Sequence, residues 1–397
     1  MISRRLSDNL KNSSLIRKMF EEGERLKRLH GSENVYDFSL GNPDLEPPAE
    51  VIDALKEAVN GNAPGLHRYM NNAGYGFCRA AVAGKLTRLS GVLVPESNVI
   101  MTVGAAGALN VAFKTLLDAG DEVVVLAPYF VDYLNYVDNF GGRSVIVPCD
   151  RETFQPDVAT IAAALTSRTK AILLNSPNNP TGAVYTEAVL RELAGVLLDA
   201  GKRFGTTIHV VSDEPYSEIV YDGAVVPATF SIFPNSIVCS SWSKSLALPG
   251  ERIGFIAVHP QNDDVELLLK GIVYCTRVLG FINAPALFQT VVAKAIDARV
   301  DIQSYSDRLD MLYRVITESG FTCRKPQGAL YLFARSPVAD DLDFADHAKA
   351  HRILVVPGVG FGAPGFFRLT FCVDMKTIMN SRGAWEALGS EYGLKKA

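Results

Sequence analysis

Long apolar runs are missing from this 397-residue sequence, although 48% of its residues are hydrophobic. No stretch approaches the ~18 continuous apolar residues that a membrane helix needs, so no spanning segment is expected. The stretch from Met1 to Glu33 is charged and at best amphipathic, and it lacks the apolar core of a secretory signal. Clustered charge of one sign is missing too. The formal net charge is −4, and no basic footprint of the kind a phosphate backbone selects is present. Nucleic acid is therefore not an expected partner. The six cysteines (Cys78, Cys149, Cys239, Cys275, Cys323, Cys372) are far apart and form no Cys-x-x-Cys pair. In so large a chain they read as buried free thiols of a reducing compartment, not as a disulfide frame or a zinc site. Internal repeats and low-complexity segments are lacking as well. A soluble cytoplasmic protein is the resulting expectation, and the length suggests about two or three domains.

What the sequence does contain is an alternation of short β-rich runs and helical stretches from Asn98 to Val258. The strand candidates are NVIMTV (98–103), EVVVLA (122–127), RSVIVP (143–148), KAILLN (170–175), IHVVS (208–212), SIVCSS (236–241) and RIGFIAV (252–258). Helix candidates between them run from Ala106 to Leu117, Pro156 to Leu165 and Glu187 to Phe204. Near-continuous apolar strands are expected where helices cover both sheet faces. The pattern therefore predicts an α/β fold with a mainly parallel central sheet. From about Val300 the pattern changes. A helix from Gln303 to Glu318 precedes strand candidates FTCRK, ALYLFA, ILVVP and FFRLTF, which predicts a smaller α+β unit. The first fifty or so residues hold too little core to stand alone and are expected to pack on that unit or to reach a partner chain. The expected division is residues 1–48 as an arm and part of the small domain, 49–295 as the large domain and 296–397 as the small C-terminal domain.

Ligands of mainly parallel sheets collect at the carboxyl ends of the strands, so the residues just after each strand are the ones to inspect. KAILLN is followed by SPNNPTG (176–182), IHVVS by Asp213-Glu214-Pro215-Tyr216, and SIVCSS by Trp242-Ser243-Lys244-Ser245. Arg252 follows Lys244 by eight residues. Each piece alone has a plainer explanation. A lysine after a strand is usually just solvated, an aspartate there commonly caps a helix, and Asn-Pro-Thr-Gly favours a tight turn. Together they set an amide, a carboxylate, a phenol, an amine and a guanidinium at one end of one sheet.

This set resembles the class I/II aminotransferases, fold-type I enzymes dependent on pyridoxal 5′-phosphate (PLP) in the aspartate aminotransferase superfamily. The motifs that carry the resemblance are SLGNPD (39–44), SPNNPTG, DEPY, SWSKS with Arg252, PQGALYLF (326–333) and FFRLTF, and it extends from about residue 35 to the C-terminus. It implies that the large domain binds PLP as a Schiff base on Lys244, whose amine must be neutral to attack. Asp213 is then the carboxylate that keeps the ring nitrogen protonated, so that the cofactor acts as an electron sink. Tyr216 and Asn179 resemble the pair that hydrogen-bonds the ring's phenolic oxygen, and Phe130 the aromatic residue stacked on the ring. The Gly104-Ala105-Ala106 backbone resembles the phosphate cradle at a helix N-terminus, with Ser241 and Arg252 adding a hydroxyl and a cation. Many relatives place Ser or Thr in this loop where the chain has two alanines. Tyr69, in HRYMNNAGYG, resembles a tyrosine that reaches the phosphate across a dimer interface, which implies a homodimer with shared sites. Arg368 resembles the clamp on the substrate α-carboxylate, a group that its fork matches bidentately, helped by Gly41 and Asn179.

The implied reaction is ping-pong transfer of an amino group from an L-amino acid to a 2-oxo acid. β-Elimination on the same scaffold is the alternative. A regulator built on this fold carries a DNA-binding domain ahead of it, for which the N-terminal stretch offers no room. Arg277, in YCTRVLGFINAP, is a candidate reader of a distal substrate carboxylate, with a plain helix-face arginine as the other reading. Aspartate, glutamate, alanine and aromatic amino acids all stay open as donors.

Overall fold

The computed structural model describes Ile2, Leu6 and residues 15–395, apart from the side chains of residues 15–18 and 20. The rest of the expected N-terminal arm lies outside the described residues. Helix α1 (Leu15–His30) and the two-residue strand β1 (Tyr36–Asp37) lead into α2 (Ala49–Gly61) and α3 (Gly76–Ser90). Strand and helix then alternate: β2 (Val99–Thr102), α4 (Gly104–Leu116), β3 (Glu122–Ala127), α5 (Tyr133–Asp138), β4 (Arg143–Pro148) and α6 (Val158–Ala164). They continue as β5 (Thr169–Asn175), α7 (Glu187–Phe204), β6 (His209–Asp213), β7 (Ser236–Ser241) and β8 (Gly254–Val258). After α8 (Val265–Val278), α9 (Ala286–Lys294) and α10 (Ile302–Glu318) come β9 (Tyr331–Arg335), α11 (Asp341–Ala350), β10 (Ile353–Leu354), β11 (Val356–Pro357), β12 (Phe366–Thr370) and α12 (Met375–Glu391).

The seven-stranded sheet has the order β2-β8-β7-β6-β5-β3-β4. Only β8 runs against its neighbours, pairing antiparallel with both β2 and β7. The fold is therefore α/β with a mainly parallel central sheet, as the βα alternation predicts, in keeping with the fold type I that the resemblance implies. β2, β3, β6 and β7 are buried along their whole length. β4 departs from the expectation, because Ile146 on it is exposed. It pairs only with β3, at the edge of the sheet, where flanking helices shield less of it. The register matters for function: Asn175 at the end of β5 stands level with Asp213 at the end of β6.

The C-terminal elements form a three-stranded antiparallel sheet in the order β11-β12-β9. FTCRK does not become a strand there. It contributes one isolated bridge, Cys323 to Ala334. β9 begins at Tyr331, two residues later than the apolar run, since Ala329 turns into the left-handed region with φ 59°. β1 pairs with β10 in parallel, so Tyr36 and Asp37 are hydrogen-bonded into this unit. The unit has its own core, in which Phe38, Phe321, Phe344, Phe367 and Trp385 pack together. The Trp385 ring lies 5.4 Å from Phe321 and 6.0 Å from Phe367. Of the six free cysteines five are buried, and Cys323 is half-buried.

Trp385 is fully buried and central to this core. Trp385→Ala is expected to destabilise the protein by about 3–5 kcal/mol, read as a lowered urea midpoint. An unchanged midpoint would show that this core contributes little to the observed transition.

Candidate active site

Three adjacent strand ends build one wall of a cavity of about 260 Å³. β5 delivers Asn175, whose side-chain oxygen accepts from the Asn179 backbone N–H at 2.8 Å and whose amide donates to the Asp213 carbonyl at 2.9 Å. One asparagine thus ties the SPNNPTG loop to the end of β6. Asp213 is buried there, and its Oδ2 accepts from the Tyr133 hydroxyl at 2.6 Å. Its other oxygen, Oδ1, is buried with no hydrogen-bond partner. Desolvation, with the neighbouring Glu214 carboxylate adding to it, pushes the Asp213 carboxyl up to about 7.

β7 ends at Ser241, and Lys244 follows in the next turn. Its Nζ donates to the Gly41 carbonyl at 3.0 Å. Enclosure lowers this amine to about 8, helped by the cations Arg368 and Arg252. A substantial neutral fraction is therefore present near physiological pH.

The opposite wall comes from the C-terminal sheet. Arg368 on β12 is buried among apolar residues without an acidic partner, and burial lowers its pKa. Its Nη1 donates to Asn179 Oδ1 at 3.0 Å and its Nη2 to the Ser39 carbonyl at 2.7 Å, while Nε is buried and unpaired. Two aromatic faces cover the guanidinium, Tyr331 at 4.4 Å and Phe361 at 4.8 Å. Such contacts each supply about 0.5–2 kcal/mol and partly offset its lost hydration. The Tyr331 hydroxyl also meets that of Tyr216 at 3.1 Å. Gly41 lies so close that a Cβ there would overlap the Tyr331 ring.

At the third side α4 begins, with Gly104 in the left-handed region at φ 77°. That φ favours glycine, and a Cβ there would come within 2.7 Å of the Arg252 Nη2, so the guanidinium would have to shift. Arg252 itself adopts φ 52°, a conformation that costs a non-glycine residue roughly 1–2 kcal/mol. Its Nη1 donates to the Pro249 carbonyl at 3.0 Å, and Ser241 Oγ donates to Ser243 Oγ at 3.1 Å.

Of the residues singled out from sequence, Lys244, Asp213, Tyr216, Asn179, Ala105, Ala106, Phe130, Ser241, Arg252, Arg368 and Gly41 all line this one cavity. Gly104 stands beside it through Arg252. Tyr69 does not reach it: its side chain is 89% exposed. Arg277 is not among its lining residues either. It sits in the last turn of α8 with its guanidinium over the Tyr274 ring at 5.5 Å. Sequence reasoning passed over Tyr133, Asn175, Ser243 and Tyr331, although each lies inside or next to a motif already marked. A larger cavity, about 710 Å³, lies near the starts of β6 and β7, lined by Leu198, Lys202, Thr207 and Phe233, and holds none of these residues.

Residues 33–382 match the family "Aminotransferase class I and II". A probable aspartate/prephenate aminotransferase of Thermus aquaticus is 35% identical over 349 residues, covering 86% of this chain and 88% of that protein. The crystal structure of an amino transferase from Eubacterium rectale superposes with a TM-score of 0.95 at 39% identity, over 99% of both chains. Aspartate aminotransferase from Thermus thermophilus, solved with maleate, gives 0.86 at 28% identity over 98% of this chain and 99% of its own. The chain belongs to the class I and II aminotransferases, and it is an enzyme that transfers amino groups. The family depends on PLP.

Neutralising position 213 isolates the effect of its burial. In the unfolded chain an aspartate has a pKa of about 3.9, whereas in the cofactor-free protein the Asp213 carboxyl stays protonated up to about 7. The folded state therefore binds the extra proton between these values, and stability falls as pH rises through that window. Asp213→Asn is expected to stabilise the cofactor-free protein at pH 8, by on the order of 4 kcal/mol. The gain should vanish towards pH 4. Denaturant unfolding of both proteins at the two pH values measures it, and a gain that did not depend on pH would contradict the burial account.

Proposed function

We propose that the enzyme is a PLP-dependent aminotransferase that moves the amino group of an L-amino acid to a 2-oxo acid by a ping-pong route, with Lys244 as the covalent attachment point. The observation that carries this reading is the convergence on one cavity of the Lys244 amine, the unpaired Asp213 Oδ1 and the Arg368 guanidinium, whose Nε is unpaired and which meets no carboxylate among the described residues. The cavity fits the cofactor. A buried carboxylate oxygen without a donor suits a protonated ring nitrogen, and the start of α4 with Arg252 and Ser241 suits a phosphate. Phe130, with its ring 5.6 Å from that of Tyr133, offers an aromatic face. When bound, PLP supplies an aldehyde for amine exchange and a cationic ring that takes up the electrons of a broken Cα bond.

The chain's own residues would do the remaining work. Arg368 grips the substrate α-carboxylate, and the Asn179 side chain on its Nη1 fixes the angle of the fork. Lys244 Nζ, lowered to about 8, accepts the Cα proton and returns it at the neighbouring carbon. Gly41 holds that amine in the cavity through its carbonyl. Tyr133 steadies Asp213 from one side, and Oδ1 would be left to hold a protonated ring nitrogen. Tyr216 and Asn179 serve the ring's phenolic oxygen.

The same reading carries the expected organisation. Residues 49–295 form the large cofactor-binding domain, and 1–48 with 296–397 form the small one. The pairing of β1 with β10 supports that grouping. Two copies form a homodimer in which Tyr69 of each reaches the phosphate of the other, which its exposure here supports. The enzyme works in the cytoplasm; among the described residues no helix is long and apolar enough to cross a membrane.

Lys244→Ala should abolish the visible absorbance of the bound cofactor and lower amino transfer by at least roughly a thousandfold. A variant that kept both would sink the assignment. Tyr331→Ala should raise the KM for the amino donor roughly tenfold with a smaller change in kcat, because the uncovered Arg368 loses its aromatic support. Tyr331→Phe keeps the ring and should leave KM within about twofold. Steady-state kinetics on the two variants separate ring from hydroxyl.

A further inference from the structure

Helices α11 and α12 end side by side on the outside of the C-terminal unit, and three metal-ligating side chains meet there. His347 and His351 are four residues apart, so they share one helix face. Their rings lie nearly parallel, 15° apart with centroids at 6.3 Å. Glu391, the last residue of α12, faces both. Its Oε2 is 2.8 Å from His347 Nε2, and its Oε1 is 3.2 Å from His351 Nε2. The three donor atoms all lie within 4.8 Å of one another. Hydrogen bonds to the two imidazoles hold the Glu391 carboxyl below its usual value, so it is ionised at neutral pH.

From this geometry we propose that His347, His351 and Glu391 bind one divalent transition-metal cation of the Zn²⁺ class. Tetrahedral zinc with ligand bonds of about 2.0–2.1 Å sets its donors roughly 3.3 Å apart. The carboxylate stands near that distance from both ring nitrogens, through a different oxygen to each, and donor atoms within 4.8 Å of one another close on the ion by side-chain rotations of up to about 1.5 Å. Each imidazole binds through Nε2 as its neutral form, and Glu391 supplies the negative charge. Water fills the fourth position, since His347 and Glu391 are about half exposed.

The ligands stand on fixed supports. His351 caps α11, its backbone N–H bonded to the Ala348 carbonyl. The next residue, Arg352, accepts at its carbonyl from the Tyr36 N–H at 2.8 Å, which ties the helix end to β1. Tyr392 packs on His347 with ring centroids 5.5 Å apart. A bound cation would clamp the last turn of α12 to the end of α11. The site lies outside the residues that line the cofactor cavity, so it is independent of the proposed reaction.

The test uses the untagged full-length enzyme with its cofactor, stripped of metals on a chelating resin and titrated with ZnCl₂ by calorimetry. One equivalent should bind with a Kd of about 1–10 μM, and Co²⁺ at the same site should give the visible absorption of a tetrahedral complex. Zn²⁺ should also raise the Tm. His347→Gln, His351→Gln and Glu391→Gln should each weaken binding about tenfold or more and remove the Tm shift. Cys323→Ser, which alters the half-buried thiol, should leave both unchanged. No binding at about 100 μM Zn²⁺, which marks an ion pair only, would overturn the proposal. Binding that survives the His347→Gln/His351→Gln double variant, or that disappears with Cys323→Ser, would overturn it equally. Unaltered melting curves of the metal-free variants show that they fold.

Discussion

A carboxylate at the end of β6 with one oxygen bonded and the other bonded to nothing is the constraint on which this site depends. Burying an unpaired polar atom costs about 1–3 kcal/mol, and more when the group is charged. Tyr133 satisfies one oxygen of Asp213, and Asn175 fixes the backbone behind it. Among the described residues no group donates to Oδ1. The same tension recurs across the cavity at Arg368, which has two acceptors, two aromatic faces and no carboxylate. A protein selected for stability alone would pair these two groups or replace them with apolar ones. Keeping both buried and incompletely paired around one cavity means that their partners come from outside the chain.

Much of this was legible because chemistry and topology coincide in the sequence. Strand ends in a mainly parallel sheet gather at one edge, so the sequence alone brings Asn179, Asp213 and Lys244 together. The boundaries of α7 were also plain, since its apolar period runs unbroken from a Thr cap to a Gly stop. The less legible parts are those set by long-range pairing. The reversal of β8 leaves no local trace, because an antiparallel and a parallel buried strand present the same apolar run. FTCRK has the composition of a strand, yet only Cys323 finds a partner across from it.

The residues passed over share a physical reason. Tyr133, Asn175, Ser243 and Tyr331 act by bonding to, or covering, another side chain, and nothing in a linear motif marks such a role. Tyr331 is the clearest case. Within PQGALYLF it reads as one more apolar core position, and it is indeed buried. Only the folded arrangement shows that its ring covers Arg368, its hydroxyl meets Tyr216 and its bulk leaves space for nothing larger than glycine at position 41. Tyr69 and Arg277 are the opposite case. They stand in recognisable motifs, but the chain alone does not bring them to the cavity.

Burial shifts the amine of Lys244 down to about 8 and the carboxyl of Asp213 up to about 7. Both shifts have the same leading cause and the same direction in charge, each towards the neutral form. The cavity's own acid and base therefore stand within about one unit of each other, close to neutral pH. The nucleophile and proton-carrier roles proposed for Lys244 each ask for a neutral fraction that an exposed lysine lacks. The shift towards neutral forms also makes the cavity receptive to a guest that brings its own charges, cationic at the Asp213 end and anionic at the α4 end. The local strain at Arg252 belongs to the same design. With φ 52°, Arg252 lays its guanidinium against Gly104 at the start of α4, which sets a cation beside a helix N-terminus.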